Sequence, residues 1–134
     1  MVDYTPESFD IYNGWKNRET WLVNEHGFYD YDYVIEILER IAINFHAIVK
    51  EERYAWIPQD EGLGGRERVL LLALAETLEE YFDEHIQDET WDLDKYNPMI
   101  RELLRTATNR IDWLQIAERY SGEIHKVSEE VYLI

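Results

Sequence analysis

The sequence predicts an all-α fold: a single compact domain of four or five helices, with a small β element near a terminus left open. Three observations lead there. Apolar residues recur at three- and four-residue spacing over several stretches. Helix start and stop signals delimit those stretches. At 134 residues and 46% hydrophobic composition, the chain suits one domain with a real core. Residues 1–134 are read as one acidic helical domain.

Residues 1–11 read as an extended arm. Asn13-Gly14 is a turn signal. Asn17 is placed to cap a short helix carrying Trp21, Leu22 and Val23, with Glu19 favourable in its first turn and Gly27 as its end. A long helix is predicted from about Asp30 to about Tyr54, capped by Asp30 or Asp32. There Ile35, Leu38, Ala42, Phe45 and Val49 form a stripe widened by Val34, Ile37, Ile41 and Ile48. "IPQDEGLGG", residues 57–65, reads as a flexible loop but not as a domain boundary, because neither side alone makes a core.

The next helix is predicted from about Arg66 to about Ile86. Its first half, "VLLLALA", is apolar on nearly every side and belongs in the centre of the fold, whereas its second half is amphipathic. "DETWDLDKY" is a polar connection. Asn97-Pro98 starts a helix that carries Ile100, Leu103, Leu104 and Ala107 to about Asn109. Asp112 and Gln115 have capping-box spacing, and the helix they open, with Trp113, Ile116, Ala117 and Tyr120, is expected to close at Gly122. For the tail, 123–134, both a strand and a short helix are open.

Charge is the outlying property. Asp and Glu total 29 against 13 Lys and Arg, a net charge of −16. Such a chain repels nucleic-acid phosphates and anionic lipid headgroups, so neither direct nucleic-acid binding nor a membrane partner is expected. A basic protein surface is the natural partner, and nucleic-acid-binding proteins carry the commonest ones. Absence of cysteine excludes disulfides, thiolate zinc sites, iron–sulfur clusters and a cysteine nucleophile. With an acidic start lacking an apolar signal region, and a longest apolar run of only seven residues (Val69–Ala75), a cytoplasmic location in a host cell is expected.

Motifs for chemistry are sparse. The histidines, His26, His46, His85 and His125, match no zinc or di-iron spacing. His85 beside Glu84 and Asp88 gives a metal-dependent enzyme as one alternative, against the plainer reading of a solvated helix face. There is no nucleophile elbow and no phosphate loop. No catalytic residue, metal or cofactor is therefore expected.

The acidic stretch is more specific. No Lys or Arg occurs from Val69 to Asp94, which hold Glu76, Glu79, Glu80, Asp83, Glu84, Asp88, Glu89, Asp92 and Asp94. On a helix, Glu76, Glu80, Asp83 and Glu84 fall along one side in steps of ~5–6 Å, loosely the pitch of backbone phosphates. Tyr81 and Trp91 lie close by as added contact area. Opposite in sign are Arg101 and Arg105 on one helical face, with Arg110 further along. That cluster suits either an intramolecular partner for the acidic helix or an acidic patch on a second copy, a homodimer.

"NGWKNRETWLVN" resembles the amino-terminal signature Asn-Gly-Trp-x-Asn-x-Glu-Thr-Trp of a family of small acidic proteins of phages, plasmids and other mobile elements. "IDWLQIAERY" is similar to that family's Asp/Asn-Trp-x-x-Ile-Ala-Glu segment. The matching positions are Asn13, Gly14, Trp15, Asn17, Glu19, Thr20 and Trp21, then Asp112, Trp113, Ile116, Ala117 and Glu118. After Asn24 the family continues with aliphatic or aromatic residues where this chain has "EHGFYDYDY". The family is largely of unknown function, so the resemblance implies a genetic setting more than an activity.

That setting and the charge together give the expected function. The chain is read as a non-enzymatic phage or mobile-element inhibitor of a host defence system, a CRISPR effector or a restriction complex. Its acidic, DNA-mimicking face would occupy a basic nucleic-acid-binding groove. The first alternative is an interaction or scaffold module working through the tryptophan motif; the second is the His85 enzyme. Trp15 and Trp21 are expected to pack against the central helix and Trp113, which makes the motif a folding signature.

Overall fold

The computed structural model describes residues 14–28, 30–59, 63–87 and 98–133. Its elements are α1 (Arg18–Leu22), a π-helical turn (Val23–Gly27), α2 (Tyr31–Ile43), α3 (Phe45–Ile48), α4 (Leu63–Tyr81), a second π-helical turn (Phe82–Gln87), α5 (Pro98–Asn109), α6 (Trp113–Glu118) and α7 (Ser121–Leu133). The all-α class holds, and no strand occurs among the described residues. Trp15 makes an isolated β-bridge. The undecided tail is helix as far as Leu133. The arm 1–11, Asn13 and residues 88–97 lie outside the described residues.

Two compact units form, one from 1–29 with 78–116, the other from 30–77 with 117–134. Each unit is built from two separate stretches of the chain.

In the first unit, Asn17 caps α1 by accepting the Thr20 N–H, with Glu19 in the first turn as its charge requires. The first π turn carries the chain from α1 to Phe28, whose N–H bonds to Val23 O at 3.1 Å. The core is aromatic: Trp113 meets Phe82 at 5.4 Å and the edge of Phe28 at 6.2 Å, and Phe28 in turn meets Tyr81 at 5.6 Å. Leu78, Ile111 and Ile116 are buried in the same unit. Pro98 opens α5, as its fixed φ and missing N–H favour. No α5 residue is buried, and Met99 and Leu103 are 67% and 62% exposed.

In the second unit, Asp30 caps α2 by accepting the Tyr33 N–H at 3.3 Å. Val34, Ile37, Leu38 and Ile41 turn inward, and α2 packs on α7, in which Ile124 and Val127 are buried. The predicted single helix from Asp30 to Tyr54 is broken. Asn44 leaves the helical conformation (φ −98°, ψ 13°), its N–H bonding to Ile41 O at 3.1 Å in a tightened turn. Successive short-range turns then run to Ile57, which buries Tyr54 and Ile57 together. The "VLLLALA" segment is central to its unit as expected, with Val69, Leu70, Ala73, Leu74 and Ala75 buried.

Two boundaries move. The expected loop 57–65 ends early, because Leu63, Gly64 and Gly65 already belong to α4. A Cβ on Gly65 would lie 2.1 Å from the Pro58 carbonyl oxygen, so the absence of a side chain permits that close approach. Gly122 does not close α6, which ends at Glu118; Gly122 is instead the second residue of α7. The break comes at Tyr120, fully buried with its ring 4.9 Å from that of Tyr31.

Candidate functional site

The opening motif and the second signature segment form one hydrogen-bonded knot. Gly14 takes a positive φ of 84°, the left-handed turn its neighbour Asn13 suggested. Asn17 and Thr20 are buried. Asn17 Oδ1 accepts from Thr20 N and from the Thr20 hydroxyl, both at 2.8 Å, while Asn17 Nδ2 donates to Arg110 O at 2.6 Å. The Thr20 hydroxyl oxygen accepts the Asp112 N–H at 2.8 Å.

Asp112 caps α6 by accepting the Gln115 N–H at 2.9 Å. The Gln115 side chain does not return to Asp112, as a reciprocal capping box would have it. It accepts the Lys16 N–H at 2.8 Å and donates to Gly14 O at 3.4 Å, and Thr20 takes the place it leaves. Glu19 pairs with the Arg110 guanidinium at 3.4 Å. Trp15 and Trp21 are half-buried, and Trp21 meets His26 edge-on at 6.1 Å. The ring contacts of Trp113 are with Phe28 and Phe82. The motif is thus turned inward, with its polar groups consumed by the fold.

The acidic stretch divides. Glu76 is half-buried and engaged: Arg53 pairs with its carboxylate, and the Tyr54 hydroxyl donates to it at 2.8 Å. Its charge is offset, which removes it from the expected row. Burial and the Glu76 bond together push the Tyr54 phenol well above its ordinary range. Tyr81 is half-buried, packs on Phe28 and lines a cavity.

Glu79, Glu80, Asp83 and Glu84 are exposed. They straddle the junction where α4 passes into a π turn, so the one-turn α-helical step assumed from the sequence does not continue past Tyr81. Asp88, Glu89, Trp91, Asp92 and Asp94 lie outside the described residues, as does the side chain of His85. Among the described residues no group of three His, Asp or Glu converges on a cation-sized point. None of the helices described is long and apolar enough to cross a membrane.

Tyr81 and Phe82 line a cavity of about 540 Å³. Both π turns face it, through Val23, His26 and Phe82, and α5 contributes Leu104 and Ala107. Leu22, Tyr81 and Ile111 complete an apolar wall, with Glu19 and Thr108 as its other polar groups. Space left here is one reason that α5, amphipathic as it is, buries no residue. The cavity escapes the sequence reading because π turns have no periodic signature.

Two members of the basic cluster have partners close by. Arg105 pairs with Glu102 one turn away at 3.1 Å and Arg110 with Glu19. Elsewhere, in the second unit, His125 lies between two carboxylates, Nδ1 at 2.5 Å from Glu67 and Nε2 at 3.2 Å from Glu129. The Glu67 bond, then the charges of both glutamates, raise its proton affinity. No family model, no curated protein and no solved structure matches the chain.

Proposed function

We propose that the chain is a non-enzymatic inhibitor of a host defence complex, a CRISPR effector or restriction enzyme, in the setting of a phage or mobile element. Its acidic face enters the target's basic nucleic-acid-binding groove. The observation that carries this reading is the exposed quartet Glu79, Glu80, Asp83 and Glu84, within a stretch free of Lys and Arg, on a chain of net charge −16. Charge of one sign at such density steers association with a basic groove and repels nucleic acid itself. The resemblance of the two signature segments to mobile-element proteins supports the setting.

The inward-turned motif disfavours the scaffold reading. Asn17, Thr20, Asp112 and Gln115 spend their polar groups on each other, which leaves little for a partner.

The test is binding to, and inhibition of, a panel of purified defence nucleases, across a salt series. Inhibition is expected to weaken steeply as salt rises, because exposed charges are screened within about 10 Å at 0.1 M. Changing Glu79, Glu80 and Glu84 to Gln and Asp83 to Asn together should abolish it. Full inhibition by that quadruple variant would rule out the mimicry mechanism.

A further inference from the structure

We propose that the second unit holds a binding site for a small amphipathic anion, an aliphatic chain ending in a carboxylate. A cavity of about 400 Å³ lies where the predicted long helix breaks. Ala42 and Ile43 line it from the end of α2, and Phe45 and His46 from α3, on either side of Asn44. Pockets for small ligands have volumes of about 300–1,000 Å³, and this one falls within that range.

The lining has two characters. Ile43, Phe45, Val49 and Val131 supply aliphatic and aromatic surface. Lys50 and Arg66 supply positive charge, with further nitrogen donors from His46 and Gln59. No Asp or Glu is among the described residues that line it. On a chain of net charge −16 that is the exception: Lys16, Arg40, Arg53, Arg105 and Arg110 each pair with a carboxylate. The Lys50 ammonium and the His46 ring have no hydrogen-bond or ion-pair partner among the described residues. Arg66 is 7% exposed, which sets its planar fork of N–H donors, matched to a carboxylate, in the wall rather than at the surface.

Charge complementarity therefore fixes the head group, and the apolar wall takes the chain. Burying the chain removes apolar surface from water, and the partly dry surroundings strengthen the attraction between the cations and an anionic head. None of the acidic quartet takes part, so the site stands apart from the reading of that face.

The probes are decanoate, decanol and decyltrimethylammonium, which share a chain and differ in charge. Titrations are followed by backbone amide shifts in NMR spectra of the full chain. Decanoate is expected to bind roughly tenfold or more tightly than decanol, the scale of hydrogen bonds to a charged group. The net charge of the protein favours the cation everywhere else, so an anion preference reports this site. Acetate, a head without a chain, should fail to compete. Lys50→Gln, at an exposed position, should weaken decanoate and leave decanol unchanged. Arg66→Gln should weaken decanoate further; if burial makes that variant fail to fold, Lys50→Glu carries the same test.

Equal affinity for decanoate and decanol, or tightest binding of the cation, would overturn the proposal. So would shifts centred away from residues 42–50, 66 and 131, or no saturable binding of decanoate. A dimer in sedimentation that Lys50→Glu dissociates would assign the cavity to a second copy and overturn it as well.

Discussion

The Thr20 hydroxyl accepts the backbone N–H of Asp112 while donating to Asn17 Oδ1, each at 2.8 Å, and so joins the start of α1 to the start of α6. Thr20 is fully buried, so water has poor access to its hydroxyl. Thr20→Val keeps the shape and removes both. It should cost about 1–3 kcal/mol, because the part-buried Asp112 N–H loses its acceptor and the buried Asn17 Oδ1 keeps only the Thr20 backbone N–H. Thr20→Ser should recover most of that. Urea unfolding of the three proteins decides it; a valine variant as stable as the parent would contradict the role of the hydroxyl.

Tyr54 and Tyr120 invite opposite outcomes from the same substitution. The Tyr54 hydroxyl donates to Glu76, whereas the buried Tyr120 hydroxyl has no hydrogen-bond partner among the described residues. Tyr54→Phe should destabilise by about 1–2 kcal/mol, the range for a hydrogen bond to a charged group after allowance for the partly exposed carboxylate. Tyr120→Phe should lie within about 0.5 kcal/mol of the parent or above it, since a desolvated group without a bond is removed. Thermal unfolding of both variants makes the comparison.

Neighbouring glycines at the start of α4 should also diverge. A Cβ on Gly64 meets nothing within 4 Å, while one on Gly65 meets the Pro58 carbonyl. Gly64→Ala should stabilise by up to about 1 kcal/mol, the difference in helix propensity. Gly65→Ala should destabilise by about 1–3 kcal/mol, because backbone must move to relieve the overlap. Equal midpoints for the two would show that α4 starts later than Leu63.

His125 makes part of the stability pH-dependent. Glu67 and Glu129 raise its proton affinity in the folded state above that of the unfolded chain. Its contribution is therefore complete below the unfolded value of about 6.5 and is lost as pH rises through the higher folded value. Subtracting the melting profile of His125→Gln from that of the parent should leave an advantage at about pH 5.5 that fades as pH rises above about 6.5. Glu67→Gln should shrink this advantage, as the largest cause of the shift. A difference profile flat in pH would refute the pairing.

Much of the architecture was legible because local signals are strong where they occur. Asn17, Asp30, Pro98 and Asp112 stand at helix starts for reasons of hydrogen-bond geometry that any three or four residues carry. The burial of 69–75 followed from an apolar run too uniform for any surface. What escaped was non-local. Periodicity carried the predicted helix straight through Asn44, because apolar residues continue at compatible spacing on the far side of a break. Glu76 looked like a member of an acidic row until Arg53 and Tyr54, more than twenty residues earlier, came to meet it. Gln115 signalled a capping box, and only the approach of Lys16 and Gly14 redirected its side chain.

The knot also sets an order of events at the ribosome. Asn17 and Thr20 are synthesised early, but the groups that complete them, Arg110 O and Asp112 N, follow 93 and 92 residues later. Until those emerge, the five-residue α1 keeps only its local cap, too little to hold so short a helix in water. The amino-terminal signature thus stays pliable through most of translation. It closes only when the carboxy-terminal segment leaves the exit tunnel, at the entropic cost of a long loop. A nascent chain truncated before residue 110 would carry the whole signature and none of its long-range partners.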